Sequence, residues 1–184
     1  MKTRTSIHCI AGVMAVLLLS LPGTSFADDK PVTDQTLLDR IRIEDMMVRY
    51  YGNLGKASGA KMARDYTEDG VLDVNNMVFT GREEIEKIYN KAGENTGEVY
   101  QGRVNTLVTN MTIDVDGDEA TCWLIYTNVQ NESIEKPPRF LEQGRDYTKL
   151  VKRAGRWLIK HRWVTSDGGT PEYWRQKYVK RSFR

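Results

Sequence analysis

Four alternating stretches decide the fold of this chain: Val104–Val115 (VNTLVTNMTIDV), Thr121–Val129 (TCWLIYTNV), Phe140–Val151 (FLEQGRDYTKLV) and Trp157–Val164 (WLIKHRWV). Each repeats apolar, β-branched or aromatic residues at a period of two, as a strand with one buried face requires. Asp116-Gly117-Asp118 and Ala154-Gly155 separate the outer pairs as hairpin turns, and a polar segment from Asn131 to Pro138 joins the middle two. Strands joined by such short turns run antiparallel, so the C-terminal half is expected to be a meander of long strands.

Upstream the period becomes helical. Ile43, Met46, Met47, Tyr50 and Leu54 recur at three- and four-residue spacing with charged residues between them, which predicts an amphipathic helix that Thr33 or Asp34 caps. Ser58 can cap a second short helix carrying Met62, Ala63 and Tyr66, and Thr67-Glu68-Asp69-Gly70 reads as a turn. Val71–Val74 and Met77–Phe79 flank Asn75-Asn76 as a short hairpin. Thr80-Gly81-Arg82-Glu83 has the capping-box pattern of a third helix, with Ile85, Ile88 and Tyr89 on one face. Lys91 to Gly102 holds three glycines and no periodicity, and is expected to be a loop. Helices first and long strands last define an α+β domain and not a βαβ layout.

The chain of 184 residues suffices for one ordinary domain, and its 27 Lys+Arg nearly balance its 25 Asp+Glu. The surplus, Lys2 and Arg4, sits in the first 27 residues; without them 25 bases face 25 acids. Bulk charge therefore argues against a nucleic-acid partner. The N-terminus reads as a leader: a basic start, an apolar run from Cys9 to Leu21, Pro22-Gly23, then Ser25-Phe26-Ala27 as a small-x-small cleavage site. The run falls short of the roughly 20 residues of a membrane-spanning helix. The expected organisation is residues 1–27 as signal peptide, 28–166 as the domain and 167–184 as a tail. The destination is periplasmic or extracellular, with no membrane attachment after cleavage. Only Cys122 and His161 remain of their kinds after cleavage, so neither an internal disulfide nor a Cys/His zinc site can be assembled.

Three groups of residues resemble the SnoaL-like branch of the nuclear transport factor 2 superfamily. The first runs from Ile43 to Val71, with Arg49-Tyr50 and Tyr66-Thr67-Glu68-Asp69-Gly70-Val71. The second is Gly81-Arg82-Glu83-Glu84-Ile85, followed by Thr109-Asn110 and Asp116-Gly117-Asp118-Glu119-Ala120. The third is Gly144-Arg145-Asp146-Tyr147, Leu150, Gly155-Arg156-Trp157-Leu158-Ile159 and Asp167. The resemblance implies a cone: a strongly bent antiparallel sheet wrapped around three helices, with a largely apolar pocket between the sheet and the first helix. It also implies homodimers through the outer sheet face, no cofactor and no metal. Members include isomerases, dehydratases, cyclases and domains without chemistry, so the residues themselves must decide function.

The Asp and His that serve as acid-base pair in dehydratase and cyclase members fall here on Gly55 and Thr106, with Asn105 one residue from the His position. In the steroid-isomerase pattern Tyr50 matches the oxyanion-stabilising tyrosine, while the carboxylate base falls on Val74, beside Asp73. Tyr50 lies on the helix stripe, where a core tyrosine and a catalytic donor are both open readings. His161 shares strand parity with Trp157, Ile159 and Trp163, and on that parity it would face the cone as its one neutral-pH acid-base group. Asp73 and Asp146 are the carboxylates nearest a pocket mouth. The candidate catalytic set is therefore Tyr50, His161 and Asp73; the candidate ligand-binding set is Met47, Asn105, Tyr126, Tyr147 and Trp163, with Trp123 a further aromatic on the sheet. The expected ligand is a small hydrophobic or amphipathic molecule, undergoing elimination, isomerisation or cyclisation if there is chemistry. The alternative is a non-catalytic binding or assembly module.

Overall fold

A computed structural model describes residues 32–54, 58–99 and 103–181. The leader expected at 1–27 lies outside the described residues. The elements in chain order are α1 (Asp34–Asn53), α2 (Gly59–Ala63), β1 (Tyr66–Val74), β2 (Met77–Thr80), α3 (Arg82–Val99), β3 (Arg103–Asp116), β4 (Glu119–Asn131), β5 (Arg139–Arg153), β6 (Arg156–Gly168) and a 3-10 turn (Glu172–Arg175). They form the expected α+β domain, with one curved, open six-stranded sheet in the order β2-β1-β6-β5-β4-β3. Among the described residues, no helix is long and apolar enough to cross a membrane.

Local chemistry places the first two helices where the spacing predicts, except that Tyr66, expected on the second, instead opens β1 because α2 ends at Ala63. Thr33 caps α1 through a reciprocal box with Thr36, and Ser58 caps α2 by accepting from the Lys61 backbone N–H. The third helix differs in two details. Glu84 and not Glu83 reaches back to the Thr80 N–H, at 2.8 Å, because Gly81 takes a φ of +82° and displaces the box by one residue. The helix also runs on to Val99, through the stretch expected to be a loop. Glycines inside a helix cost about 1 kcal/mol each without forbidding it, and no proline intervenes.

The strands β3 to β6 form the meander, each antiparallel to the next. Asn75 and Asn76, both at positive φ, close the β1–β2 hairpin. Two departures shape the rest. β1 pairs parallel to β6, so the sheet is mixed and not wholly antiparallel. The expected turn Thr67–Gly70 is instead an irregular part of β1, where the register slips between Tyr66 and Val71.

The concave face buries Ala120, Cys122, Leu124 and Tyr126 from β4, and Leu150 and Ile159 from β5 and β6, against Ile43, Met46, Met47, Tyr50 and Tyr51 of α1. Fully burying one such large side chain contributes about 1.5–3 kcal/mol, so this one seam holds helix to sheet. At one end of it Asp39, 2% exposed, accepts from Trp157 Nε1 (3.1 Å) and Lys152 Nζ (2.9 Å), tying the start of α1 to the β5–β6 hairpin. α1 thus runs along the cone from that hairpin towards the far ends of β4 and β6, where the candidate site lies.

Candidate functional site

Strand parity in β6 decides which groups enter the cone. Between β5 and β6, Lys149 pairs with His161 and the next residue, Leu150, with Ile159, so Lys160 is the extra residue of a bulge. Trp157 and Ile159 face inward before it; Arg162 and Val164 do so after it. The alternation that would turn His161 inward is therefore broken. His161 lies on the convex face, its ring stacked on Trp163 at 3.4 Å, and Arg162 takes the interior. Burial holds the His161 imidazole below its ordinary value, partly offset by Asp73.

Arg162, 3% exposed, organises the middle of the cone. Its Nε donates to Asp146 Oδ2 at 2.6 Å, Nη2 to the Tyr51 hydroxyl at 2.7 Å, and Nη1 to those of Tyr50 (3.1 Å) and Tyr89 (3.0 Å). Tyr51 also donates to Asp146 Oδ2 and Thr148 to Oδ1, both at 2.6 Å. The guanidinium lies over the Tyr50 and Tyr51 rings at 4.7 and 4.9 Å from their centroids. Tyr50 additionally bonds Tyr66 at 2.9 Å and Tyr89. Burial works against the charge on Arg162, but Asp146 and the surrounding tyrosines outweigh it and keep the guanidinium protonated. The phenols of Tyr50, Tyr51 and Tyr66 are pushed well up, by burial first. Tyr50 is therefore a neutral, three-partnered core group. Its hydroxyl already serves Arg162, Tyr66 and Tyr89, a commitment that a free oxyanion donor does not have.

Beyond this cluster, on the side towards which α1 ends, a second polar layer crosses the concave face. Thr106 Oγ1 donates to Asn128 Oδ1 at 2.7 Å, and Asn128 Nδ2 donates to Glu142 Oε2 at 3.1 Å. Glu142 Oε1 accepts from Ser166 (3.0 Å), Tyr126 (3.2 Å) and Thr170 (3.3 Å). Asn75 Nδ2 reaches Ser166 Oγ at 3.0 Å and closes the row at the β1–β2 turn. Tyr126 connects the two layers, since its ring stacks on Tyr51 at 5.9 Å. Gly144 makes room for it: a Cβ there would stand 2.5 Å from the Tyr126 hydroxyl. Burial raises Glu142 above its ordinary value, and the hydrogen bonds from Ser166 and Tyr126 pull only part of the way back. Thr106, Asn128 and Glu142 are half-buried, as are Val108, opposite Tyr126 in the ladder, and Leu54, packed against the core. This layer combines a perturbed acid-base group with partial access.

The tail flanks the same layer. Besides Thr170, Trp174 packs edge-on against Phe79 and its carbonyl accepts from Asn75 Nδ2 at 2.8 Å. Further on, Arg181 Nη2 pairs with Asp73 Oδ2 at 2.9 Å. The described part of the tail, up to Arg181, packs along the domain.

The sequence-predicted residues are thus divided between faces. Met47 (0% exposed), Tyr50 and Tyr126 are inside. Asp73, His161, Trp163 and Tyr147 lie on the convex face, where Tyr147 and Trp163 rings pack at 5.6 Å and Asp73 is opposite Trp163 in the ladder. Trp123 pairs with Tyr147 there, three residues from Tyr126 and hence on the opposite side of the sheet. Asn105 is one residue off the inward-facing Thr106. Glu142, Arg162, Asn128, Ser166 and Tyr51 were not singled out by sequence. In the structure Glu142 shares the inner face of β5 with Gly144 and Asp146, and nothing local in the sequence distinguishes it from a solvated strand glutamate.

A bent open sheet around helices, with its polar groups on the concave face, defines the nuclear transport factor 2-like class. This chain belongs to the SnoaL-like domain family, whose model matches residues 35–163. Rv3472 from Mycobacterium tuberculosis, a protein of unknown function, is 25% identical, covering 73% of this chain and 75% of that one with a TM-score of 0.62. A putative scytalone dehydratase from Novosphingobium aromaticivorans (24% identity, 74% and 89% covered, TM-score 0.60) has the same fold. So does a nuclear transport factor 2-like protein with a cystatin-like fold from Novosphingobium aromaticivorans (16%, 79% and 92%, TM-score 0.62). No curated protein matches the sequence.

Proposed function

We propose that this chain is an exported SnoaL-like domain that binds a small, largely apolar molecule at the Glu142 end of its cone. The observation that carries this reading is the row Thr106–Asn128–Glu142–Ser166, a polar layer whose first three members are half-buried and which lies beyond the closed Arg162–Asp146 network. Ligand sites are commonly built in this way, from an apolar wall with a few convergent polar groups. The leader-like N-terminus supports export. If a proton is moved on the bound molecule, Glu142 is its acceptor: burial raises its basicity towards the range useful for abstraction from carbon. Gly55 and Thr106 at the family's Asp and His positions leave it without the usual partner, which favours binding over turnover.

Homodimerisation through the convex face accompanies this reading. Trp123, Tyr147 and Trp163 are half-buried in one protomer and lie side by side across β4, β5 and β6, an aromatic patch suited to a second copy.

The test is a native mass spectrum of the protein purified from its own host, repeated after denaturation. A small molecule released at one per chain supports the binding reading, whereas an empty dimer would leave assembly as the role of the fold.

A further inference from the structure

We propose that the cone selects a ligand bearing a protonated amine, with Glu142 as the counter-charge; this rests on the small-molecule reading above. The argument is one of charge matching. Asp146 has Arg162, Asp39 has Lys152, and Asp73 has Arg181. Glu142 is the exception among these acids of low exposure. Its partners Tyr126, Asn128, Ser166 and Thr170 are all neutral, and no described Lys, Arg or His forms an ion pair with it. Arg162, the nearest interior cation in the network, spends its donors on Asp146 and three tyrosines.

A buried carboxylate with only neutral donors is less stable ionised than one with a counter-ion, and burial accordingly raises the proton affinity of Glu142. An ammonium group supplies the missing charge together with donors for what the layer still accepts. Among the described residues Glu142 Oε2 receives only Asn128, and Thr106 Oγ1, a donor to Asn128, keeps acceptor lone pairs. The half-buried Leu54 and Val108, packed against the core, suit the apolar body of the same molecule. An anionic ligand meets a carboxylate there and no unpaired cation. A neutral alcohol can hydrogen-bond but leaves the charge unmatched.

Three probes with one aromatic body and different heads test this by calorimetry on the purified protein at about pH 8, where a primary amine is protonated and carboxylates are ionised. They are 2-phenylethylamine, 2-phenylethanol and 3-phenylpropionate. The expected order is amine tightest by about tenfold over the alcohol, the size of a charge-assisted contact, with the acid weakest. Glu142→Gln is expected to remove the amine's advantage over the alcohol; should that variant misfold, the wild-type order alone decides. Alcohol or acid binding as tightly as the amine would overturn the charge selection while leaving the cone a binding site. Saturable binding by none of the three would overturn the binding reading with it.

Discussion

Arg162 and Asp146 face each other at 2.6 Å in the centre of the cone, 3% and 0% exposed, and between them they hold the hydroxyls of Tyr50, Tyr51 and Tyr89 and the threonine at 148. The pair divides the interior. On one side lies an apolar seam closed by Asp39, Lys152 and Trp157; on the other is the polar layer of Glu142. The centre is committed to its own hydrogen bonds, which leaves the second side as the proposed ligand end.

Breaking that pair from one side leaves a buried charge. Asp146→Asn is expected to cost about 3–5 kcal/mol in urea unfolding, whereas replacing both residues with leucine and methionine recovers much of the loss. A single substitution costing under 1 kcal/mol would show that the network is solvated.

Tyr50→Phe removes one hydroxyl from a group with three partners. A loss of about 1–3 kcal/mol is expected, since Arg162 and Tyr66 lose a buried partner, with ligand affinity and any turnover unchanged. A fall in turnover at constant stability would restore Tyr50 as a catalytic donor.

Two titrations act in opposite directions on stability. Glu142 is raised above its ordinary value of 4.5, so its contribution is complete below that pH and is lost as pH rises through the folded value. His161 is lowered from 6.5, so its contribution is complete above that pH and is lost as pH falls through the folded value. Thermal melts across pH should therefore show Glu142→Gln gaining on wild type as the pH is raised above 4.5. His161→Gln should gain on it as the pH is lowered below 6.5. Parallel curves in either comparison contradict the assignment.

Asp73→Asn should loosen the tail without opening the cone. Arg181 and Asp73 form a partly buried pair at the β1–β2 hairpin, and Asn76 also holds Arg181. Limited trypsin digestion is expected to cut near Lys177–Arg181 several-fold faster in the variant, at a melting temperature within a few degrees of wild type. Unchanged cleavage would mean that Trp174 and Asn75 alone hold the tail.

The meander was legible because period-two alternation and Gly-containing turns report directly on strands, and α1 because its stripe and cap agree. The site was legible only in part. A strand's faces follow from counting until a bulge intervenes, and the extra Lys160 in β6 exchanges His161 for Arg162 while leaving the residue types unremarkable. Asp73 was expected near the pocket mouth but lies on the convex face, and its partner Arg181 is 108 residues away, so only the fold brings the two together. Glu142 is similar: its four donors come from β4, β6 and the tail, and a glutamate gives no local sign of them. The start of α3 was legible and its extension to Val99 was not, because glycine lowers helix propensity without ending a helix.

The central claim is that Glu142, and neither Tyr50 nor His161, is the group that meets the ligand. Native mass spectra of the wild type and of Glu142→Gln, Tyr50→Phe and His161→Gln, all purified from the native host, compare their occupancy by the co-purifying molecule. Wild type, Tyr50→Phe and His161→Gln should carry it at similar occupancy, and Glu142→Gln should be largely empty. Full occupancy in Glu142→Gln, or its loss in His161→Gln, would contradict the account.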